Sequence, residues 1–288
     1  MRLNEVIEGD CVSVLDGLPA GFADLVFADP PFNIGYEYDV YDDRRAKTDY
    51  LNWADKWLAA AVRALSPTGS FFLAIGDEFV AEHKVRLDAL GLTLRNWIVW
   101  HYTFGVSCTK KFNRSHAHIL YYVRDPKRYT FHADAVRVPS ARMTTYADRR
   151  ANPVGKLPDD TWVLRPQESA DHFSAKSDTW FVSRVCGTFK ERVKHPCQMP
   201  EAVLDRIIRV ATQPKDVVLD PFAGSGTTLA VAKKLGRQYL GVELSEQYAD
   251  GVRKRLQMIE FAAQANGTTT PARRRKRPPL RRPSRKAR

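Results

Sequence analysis

Short apolar runs alternate with longer stretches of helical spacing along this chain, a pattern that predicts an α/β fold with a mostly parallel sheet. The first strand is expected over Leu3 to Glu8, closing at Gly9-Asp10, and a helix carrying Val12, Leu15 and Leu18 follows it. The run Leu25-Val26-Phe27-Ala28 predicts a second, buried strand from Asp24 to Asp29. Leu51, Trp53, Ala54, Trp57, Leu58, Ala61, Val62 and Leu65 then recur at helical spacing, and Ser66-Pro67-Thr68-Gly69 ends that helix. Its tryptophans read as core rather than as a stacking platform. Ser70 to Ile75, Trp97 to Tyr102 and His118 to Val123 are further strands, with a helix around Glu78 to Leu90. Pro200 opens a helix from Glu201 to Ala211 with Val203, Leu204, Ile207, Ile208 and Ala211 as its buried stripe. Val217 to Leu219 and Gln238 to Val242 complete the strands.

Between Arg124 and Lys194 the periodicity fails, in a stretch rich in Arg, Pro, Asp, Ser and aromatics that gives neither a long helix nor clean strands. So long an irregular segment inside a compact domain is usually functional or disordered. Arg149, Arg150 and Lys156 interleave there with Tyr146 and Trp162, a mixture suited to phosphates and bases. Lys110, Lys111 and Arg114 form a second basic group between two strands. A surface insertion without a ligand is the alternative for the longer segment. Cys108, His116 and His118 lie close together in sequence but match no familiar zinc spacing, so no metal is assigned.

Two strand ends carry the chemistry. In Asp24 to Asn33, read as DLVFADPPFN, the strand stops at an acid, two prolines and an aromatic. Each proline lacks an N–H and restricts its own φ and the residue before it, so Asp29 and the Pro30 carbonyl are held in place. Two acceptors and the Phe32 ring suit a flat ligand with an exocyclic amine, such as adenine. An ordinary strand-to-turn junction would use the same residue types. The second stretch is Val217 to Asp220 followed by Pro221-Phe222-Ala223-Gly224-Ser225-Gly226-Thr227-Thr228, a glycine turn opening an amphipathic helix. No Lys follows Gly226, which excludes a P-loop, and the full dinucleotide fingerprint is absent. Glu243 ends the next strand, where an acid can hold ribose hydroxyls, so a nucleoside cofactor fits.

Those residues resemble a family. Asp29-Pro30-Pro31-Phe32 is similar to the D-P-P-[YF] motif of amino-methyltransferases, which methylate adenine N6 or cytosine N4 with S-adenosylmethionine. DPFAGSGTT resembles the cofactor motif of the DNA enzymes, VKHPCQMPE resembles the K-x-x-H-P-x-Q-x-P segment before it, and Gly9-Asp10 resembles the acidic turn that reaches the cofactor's adenine. With the catalytic motif first, a variable middle and the cofactor motif last, the chain resembles the permuted β-class of N6-adenine DNA methyltransferases over residues 3 to 260, thinly across 124 to 180. The resemblance implies a Rossmann-like, circularly permuted fold with a mostly parallel seven-stranded sheet, helices on both faces and an inserted recognition segment. It divides the chain into a catalytic half (1–123), a target-recognition insertion (124–194), a cofactor-binding half (195–265) and a disordered basic tail (266–288).

By the same resemblance Asp29, Pro30, Pro31 and Phe32 are catalytic. The cofactor would be held by Asp10, Cys11, Asp29, His195, Pro196, Gln198, the run Asp220, Pro221, Phe222, Ala223, Gly224, Ser225, Gly226, Thr227 and Thr228, and by Glu243 and Leu244. Phe32 stands where Tyr is commoner, which keeps the stacking face and removes a hydroxyl. Met199 stands where Lys is frequent. Pro196-Cys197-Gln198 also resembles the nucleophile motif of C5-cytosine methyltransferases, but the partnering Glu-Asn-Val is missing, so the likeness is read as coincidence. N4-cytosine methylation remains the nearest rival, disfavoured by Asp rather than Ser before the prolines. RNA or protein-glutamine methylation is disfavoured because those relatives usually carry Asn there. A catalytically dead nucleic-acid-binding protein is the rival from another class.

Composition and charge sharpen the partner. The 288 residues are 44% apolar, with no run of membrane-spanning length, and acids occupy the N-terminus where a signal peptide needs an apolar core. Four scattered cysteines make no disulfide framework. Of the net +12, ten basic residues lie in Pro271 to Arg288 without an acid, and Arg124 to Lys194 adds +5 from fourteen basic and nine acidic residues, leaving −3 on the rest. Positive charge gathered in one segment and one tail predicts double-stranded DNA as partner and no membrane, with a cytoplasmic, nucleoid-associated location. A basic tail that merely solubilises the chain is the alternative. A homodimer and a cognate restriction endonuclease stay open as further partners.

Overall fold

The computed structural model describes residues 3–106, 108–162 and 198–265. The expected sites His195 and Pro196, the later part of the irregular segment and the basic tail lie outside these residues. In chain order the elements are β1 (Glu5–Glu8), α1 (Cys11–Asp16), β2 (Ala23–Ala28), α2 (Lys47–Ala64), β3 (Leu65–Ile75), α3 (Val80–Ala89), β4 (Thr93–Val106) and β5 (Arg114–Val123). A 3-10 turn (Ala133–Ala135), α4 (Ala141–Thr144) and β6 (Thr161–Trp162) come next, then α5 (Glu201–Ala211), β7 (Val217–Asp220), α6 (Thr227–Lys234), β8 (Gln238–Glu243) and α7 (Glu246–Ala265).

The sheet order is β1-β8-β7-β2-β3-β5-β4-β6. Among the described residues only β5 runs against its neighbours, pairing antiparallel with β3 and β4. The expectation of seven strands is corrected to eight: the two-residue β6 comes from the irregular segment and adds to β4 beside Val99 and Trp100. So short a strand gives no period-2 signal, which is why the sequence hides it.

Alternation along the strands explains why helices cover both faces. Leu25 and Phe27 of β2, with Phe72 and Ala74 of β3, face one core that also holds the apolar stripes of α5, α6 and α7. Val26 and Ala28, with Phe71, Leu73 and Ile75, face the other core, under α1, α2 and α3. Both faces are therefore buried, and the strands read as near-continuous apolar runs. The irregular segment is anchored where it is described: His132 N–H donates to the Val210 carbonyl at 2.8 Å, and Val136 and Trp162 are buried in the first core. No helix of the described residues is long and apolar enough to cross a membrane.

Parallel strands bring their carboxyl ends to one edge, where open α/β sheets bind ligands. That edge collects Gly9-Asp10 after β1, Asp29 after β2, Gly76 after β3, Asp220 at the end of β7 and Glu243 at the end of β8. α2 braces it, because Trp57 is fully buried and meets the Phe222 ring edge-on at 5.0 Å. Trp57→Ala is expected to cost about 3–5 kcal/mol, as other large-to-small aromatic deletions do, and to lower the urea midpoint at unchanged slope. A midpoint within error of the wild type would remove α2 from this bracing role.

Candidate active site

The turn after β2 is fixed by contacts with residues from elsewhere in the chain. Asp29 is half-buried and Pro30 buried, and the Tyr50 hydroxyl of α2 donates to the Pro31 carbonyl at 2.8 Å. The Phe32 ring lies against Gly76, where a Cβ would stand only 3.1 Å from Phe32 Cδ2. Asp43, 2% exposed, accepts N–H groups from Asn33 (2.7 Å), Ile34 (3.1 Å) and Tyr36 (2.9 Å), and its own carbonyl accepts from Gly35 (2.8 Å). Asn33, at φ +57, exchanges two hydrogen bonds with the Arg45 backbone at 2.8 and 2.9 Å. Residues 33–45 are thus a cross-linked loop. Along it Tyr36, Tyr38, Tyr41 and Trp53 form a row of ring contacts at 5.6, 6.1 and 5.8 Å, with the Arg45 guanidinium 4.5 Å from the Tyr41 ring centre.

The turn after β7 is organised by two acids. Asp220 accepts from the Phe222 N–H at 2.9 Å. The Glu243 carboxylate accepts from Gly224 N–H at 2.7 Å on one oxygen and from Ser245 N–H at 3.0 Å on the other. The Leu244 N–H also favours the charged carboxylate, and three N–H donors against four lone pairs leave acceptor capacity for a ligand. The Glu243 carbonyl accepts from Gly9 at 2.9 Å, which sets Asp10 beside it, and Asp10 in turn caps α1 by accepting from Ser13 N–H at 2.9 Å. Gly224 takes φ +50, a left-handed conformation natural to glycine. Ser245 also donates to Asp39, tying the 33–45 loop to this end.

One cavity of about 510 Å³ joins the two turns. Asp29, Pro30, Pro31 and Phe32 line it together with Asp10, Cys11, Gln198, Arg114, Glu243 and Leu244, and with every residue from Asp220 to Thr228 except Gly226. Gly226 has another reason to be glycine. At φ +72 its Cβ would fall 2.5 Å from Val252 Cγ1, so the glycine admits α7. Burial pushes the Asp220 carboxyl up to about 7 and also raises Glu243, while the buried Cys11 thiol is pushed up to about 12 by desolvation and the Asp10 charge. Cys11 is a wall of the cavity rather than a nucleophile.

The basic candidates separate. Lys110, Lys111 and Arg149 are exposed, whereas Arg150 pairs with Asp148 at 3.0 Å, Lys156 with Asp159 at 2.8 Å and Arg114 with Glu78 at 2.6 Å. Trp162, expected to meet bases, is buried with its indole N–H donating to the Asp159 carbonyl at 3.0 Å. Trp53, expected in the core, is half-buried and lines the cavity. Asp43, Tyr50 and Gly76 escaped sequence reading because their partners lie 7 to 44 positions away and no local pattern marks them.

Asp220 makes a pH prediction. Its carboxyl is raised above the ordinary 3.8, so the folded state holds the proton more tightly, and the resulting stabilisation is full below about pH 4 and lost as pH rises through about 7. Asp220→Asn should therefore gain on the wild type by several degrees in Tm between pH 4 and pH 7. A constant difference across that window would show that Asp220 is not desolvated.

The matches to known proteins agree with this geometry. Type II methyltransferase M.HpaI of Haemophilus parainfluenzae is 31% identical over 253 residues, covering 87% of this chain and 73% of that protein. DNA adenine methyltransferase YhdJ of Escherichia coli (strain K12) is 34% identical over 246 residues, covering 84% and 79%. Among solved structures, the M1.HpyAVI–SAM complex superposes with a TM-score of 0.57 at 20% identity over 88% of this chain and 98% of that one, a likeness of fold. The N6_N4_Mtase family model, described as DNA methylase, matches residues 23–254, and the chain belongs to that family.

Proposed function

We propose that the protein is a site-specific DNA methyltransferase that moves a methyl group from S-adenosylmethionine to the N6 amine of an adenine turned out of the duplex. The observation that carries this reading is the single cavity bounded by Asp29-Pro30-Pro31-Phe32 at one end and by Glu243 and the glycine turn at the other. The residues at the second end fit the cofactor: Glu243 has lone pairs left for ribose hydroxyls, Asp10 is an acceptor at the adjoining strand tip, and Phe222 offers an apolar wall. Bound there, S-adenosylmethionine supplies a sulfonium methyl that is already strongly electrophilic.

The chain's own task is to prepare the amine. Adenine N6 is a poor nucleophile because its lone pair is delocalised into the ring. Asp29 and the Pro30 carbonyl accept its two hydrogens, which favours a pyramidal nitrogen with its lone pair aimed at the methyl. Tyr50 occupies the Pro31 carbonyl and Gly76 seats Phe32, so the acceptors and the stacking ring are positioned before the base arrives. A base inside a duplex cannot reach this cavity, and flipping it costs a few kcal/mol, offset in part by stacking on Phe32.

Adenine is favoured by Asp before the prolines and by the adenine specificity in the YhdJ name. N4-cytosine methylation is the second reading, since the same acceptors fit that amine. Asp29 to Phe32 precede the glycine turn in the chain, which supports the permuted β-class order. Residues 124–194 are assigned to target recognition, with Arg150 and Lys156 of that segment, and Arg114 of β5, exchanging their acidic partners for phosphate, and 266–288 to a basic arm on the phosphates. A cytoplasmic, nucleoid-associated location follows from a DNA substrate. A homodimer and a cognate endonuclease remain options for this assembly.

Asp29→Ala should lower methyl transfer by at least about 100-fold, because an acceptor aimed at the reacting amine is lost, while DNA affinity, set mainly by phosphates, largely survives. Nucleoside digests of DNA from an expressing host should contain N6-methyldeoxyadenosine with the wild type and lose it with the variant. N4-methyldeoxycytidine as the product would replace the adenine reading, and near-normal transfer by the variant would remove Asp29 from the mechanism.

A further inference from the structure

The β4–β5 hairpin carries at its turn a side chain that the fold does not use. Phe112 is 98% exposed, the most exposed of the large apolar residues among the described residues. Lys110 and Lys111, both exposed, stand beside it. The turn is closed, with Cys108 N–H donating to Asn113 Oδ1 at 2.8 Å and Val106 paired with Arg114 across the ladder. The ring is therefore held out on a built turn. Arg114 and His116, next along β5, both line the cavity that contains Asp29. Two residues span at most about 7 Å, so the Phe112 backbone lies within about 7 Å of that of Arg114, a residue of the cavity wall.

We propose that Phe112 is a wedge that enters the base stack where the target base leaves it, with Lys110 and Lys111 on the adjoining phosphates. The proposal rests on the flipped-base reading above. Flipping leaves a gap one base deep, and a flat apolar side chain that fills it keeps the neighbouring bases stacked while the extruded base occupies the cavity. Two lysines next to a phenyl ring match a surface in which apolar bases lie beside phosphates. Phe112 is a positioning residue: the acceptors Asp29 and Pro30 line the cavity, and Phe112 does not.

The test compares methyl transfer to two short duplexes carrying the methylated sequence, mapped by sequencing DNA from an expressing host. One is fully paired, and the other has an abasic residue opposite the target base, so no pair must be broken. Phe112→Ala should be at least tenfold slower on the paired duplex and within about threefold of the wild type on the abasic one, with unchanged Tm and unchanged salt dependence. Phe112→Trp should restore the paired rate. Lys110→Ala/Lys111→Ala should instead weaken binding to both duplexes and flatten the slope of log affinity against log salt by up to about 1.8. Wild-type speed of Phe112→Ala on the paired duplex, or an equal deficit on both, would overturn the wedge alone. If the wild type bound the abasic duplex no tighter than the paired one, flipping itself would be overturned, and the wedge with it.

Discussion

The Glu243 carboxylate accepts N–H groups from Gly224 and Ser245 while the Glu243 carbonyl accepts from Gly9, so the ends of β1, β7 and β8 are tied around one residue. That tie adds to the β1–β8 and β7–β8 pairing, and to the Ala223 N–H bond to the Val242 carbonyl at 2.8 Å, in setting the glycine turn against Gly9-Asp10. Burial raises Glu243, as it does Asp220 in the same cavity, and the N–H groups of Ser245, Gly224 and Leu244 offset only part of the cost of the Glu243 charge. A pocket end built from Asp10, Asp220 and Glu243 favours a ligand rich in hydroxyl and N–H donors and carrying positive charge. S-adenosylmethionine is such a ligand.

At the other end the arrangement is mechanical. Asp43 gathers three backbone N–H groups, Tyr50 holds the Pro31 carbonyl and Gly76 leaves room for the Phe32 ring. None of these groups needs to touch a substrate to matter, since each removes freedom from the turn that presents Asp29 and Pro30. Ser245 and Asp39 join this loop to the Glu243 end, so the two turns form one cavity wall rather than two independent sites.

What the sequence shows and hides follows from distance along the chain. Asp29 to Phe32 and Asp220 to Thr228 are legible because a strand, a turn and the functional groups are contiguous there. Glu243 is legible because it ends the next strand of the same unit. Asp43 reads as one more loop acid beside Asp42, and its three N–H partners emerge only when residues 33–36 fold back on it. Gly226 belongs to a legible motif, but its contact with Val252 of α7 gives it a packing role that no motif states. Trp53 and Trp57 share one helical stripe, yet the stripe passes the cavity, and only Trp57 is fully covered.

Glu243 holds the glycine turn, and in the proposed function the same carboxylate receives the cofactor. Calorimetric titration of S-adenosylmethionine into the wild type and Glu243→Gln tests it most directly. A glutamine turns an N–H toward a backbone donor and loses lone pairs meant for hydroxyls. Affinity should fall by at least tenfold, about 1.4 kcal/mol. Equal affinity in the two proteins would contradict the account and place the cofactor elsewhere.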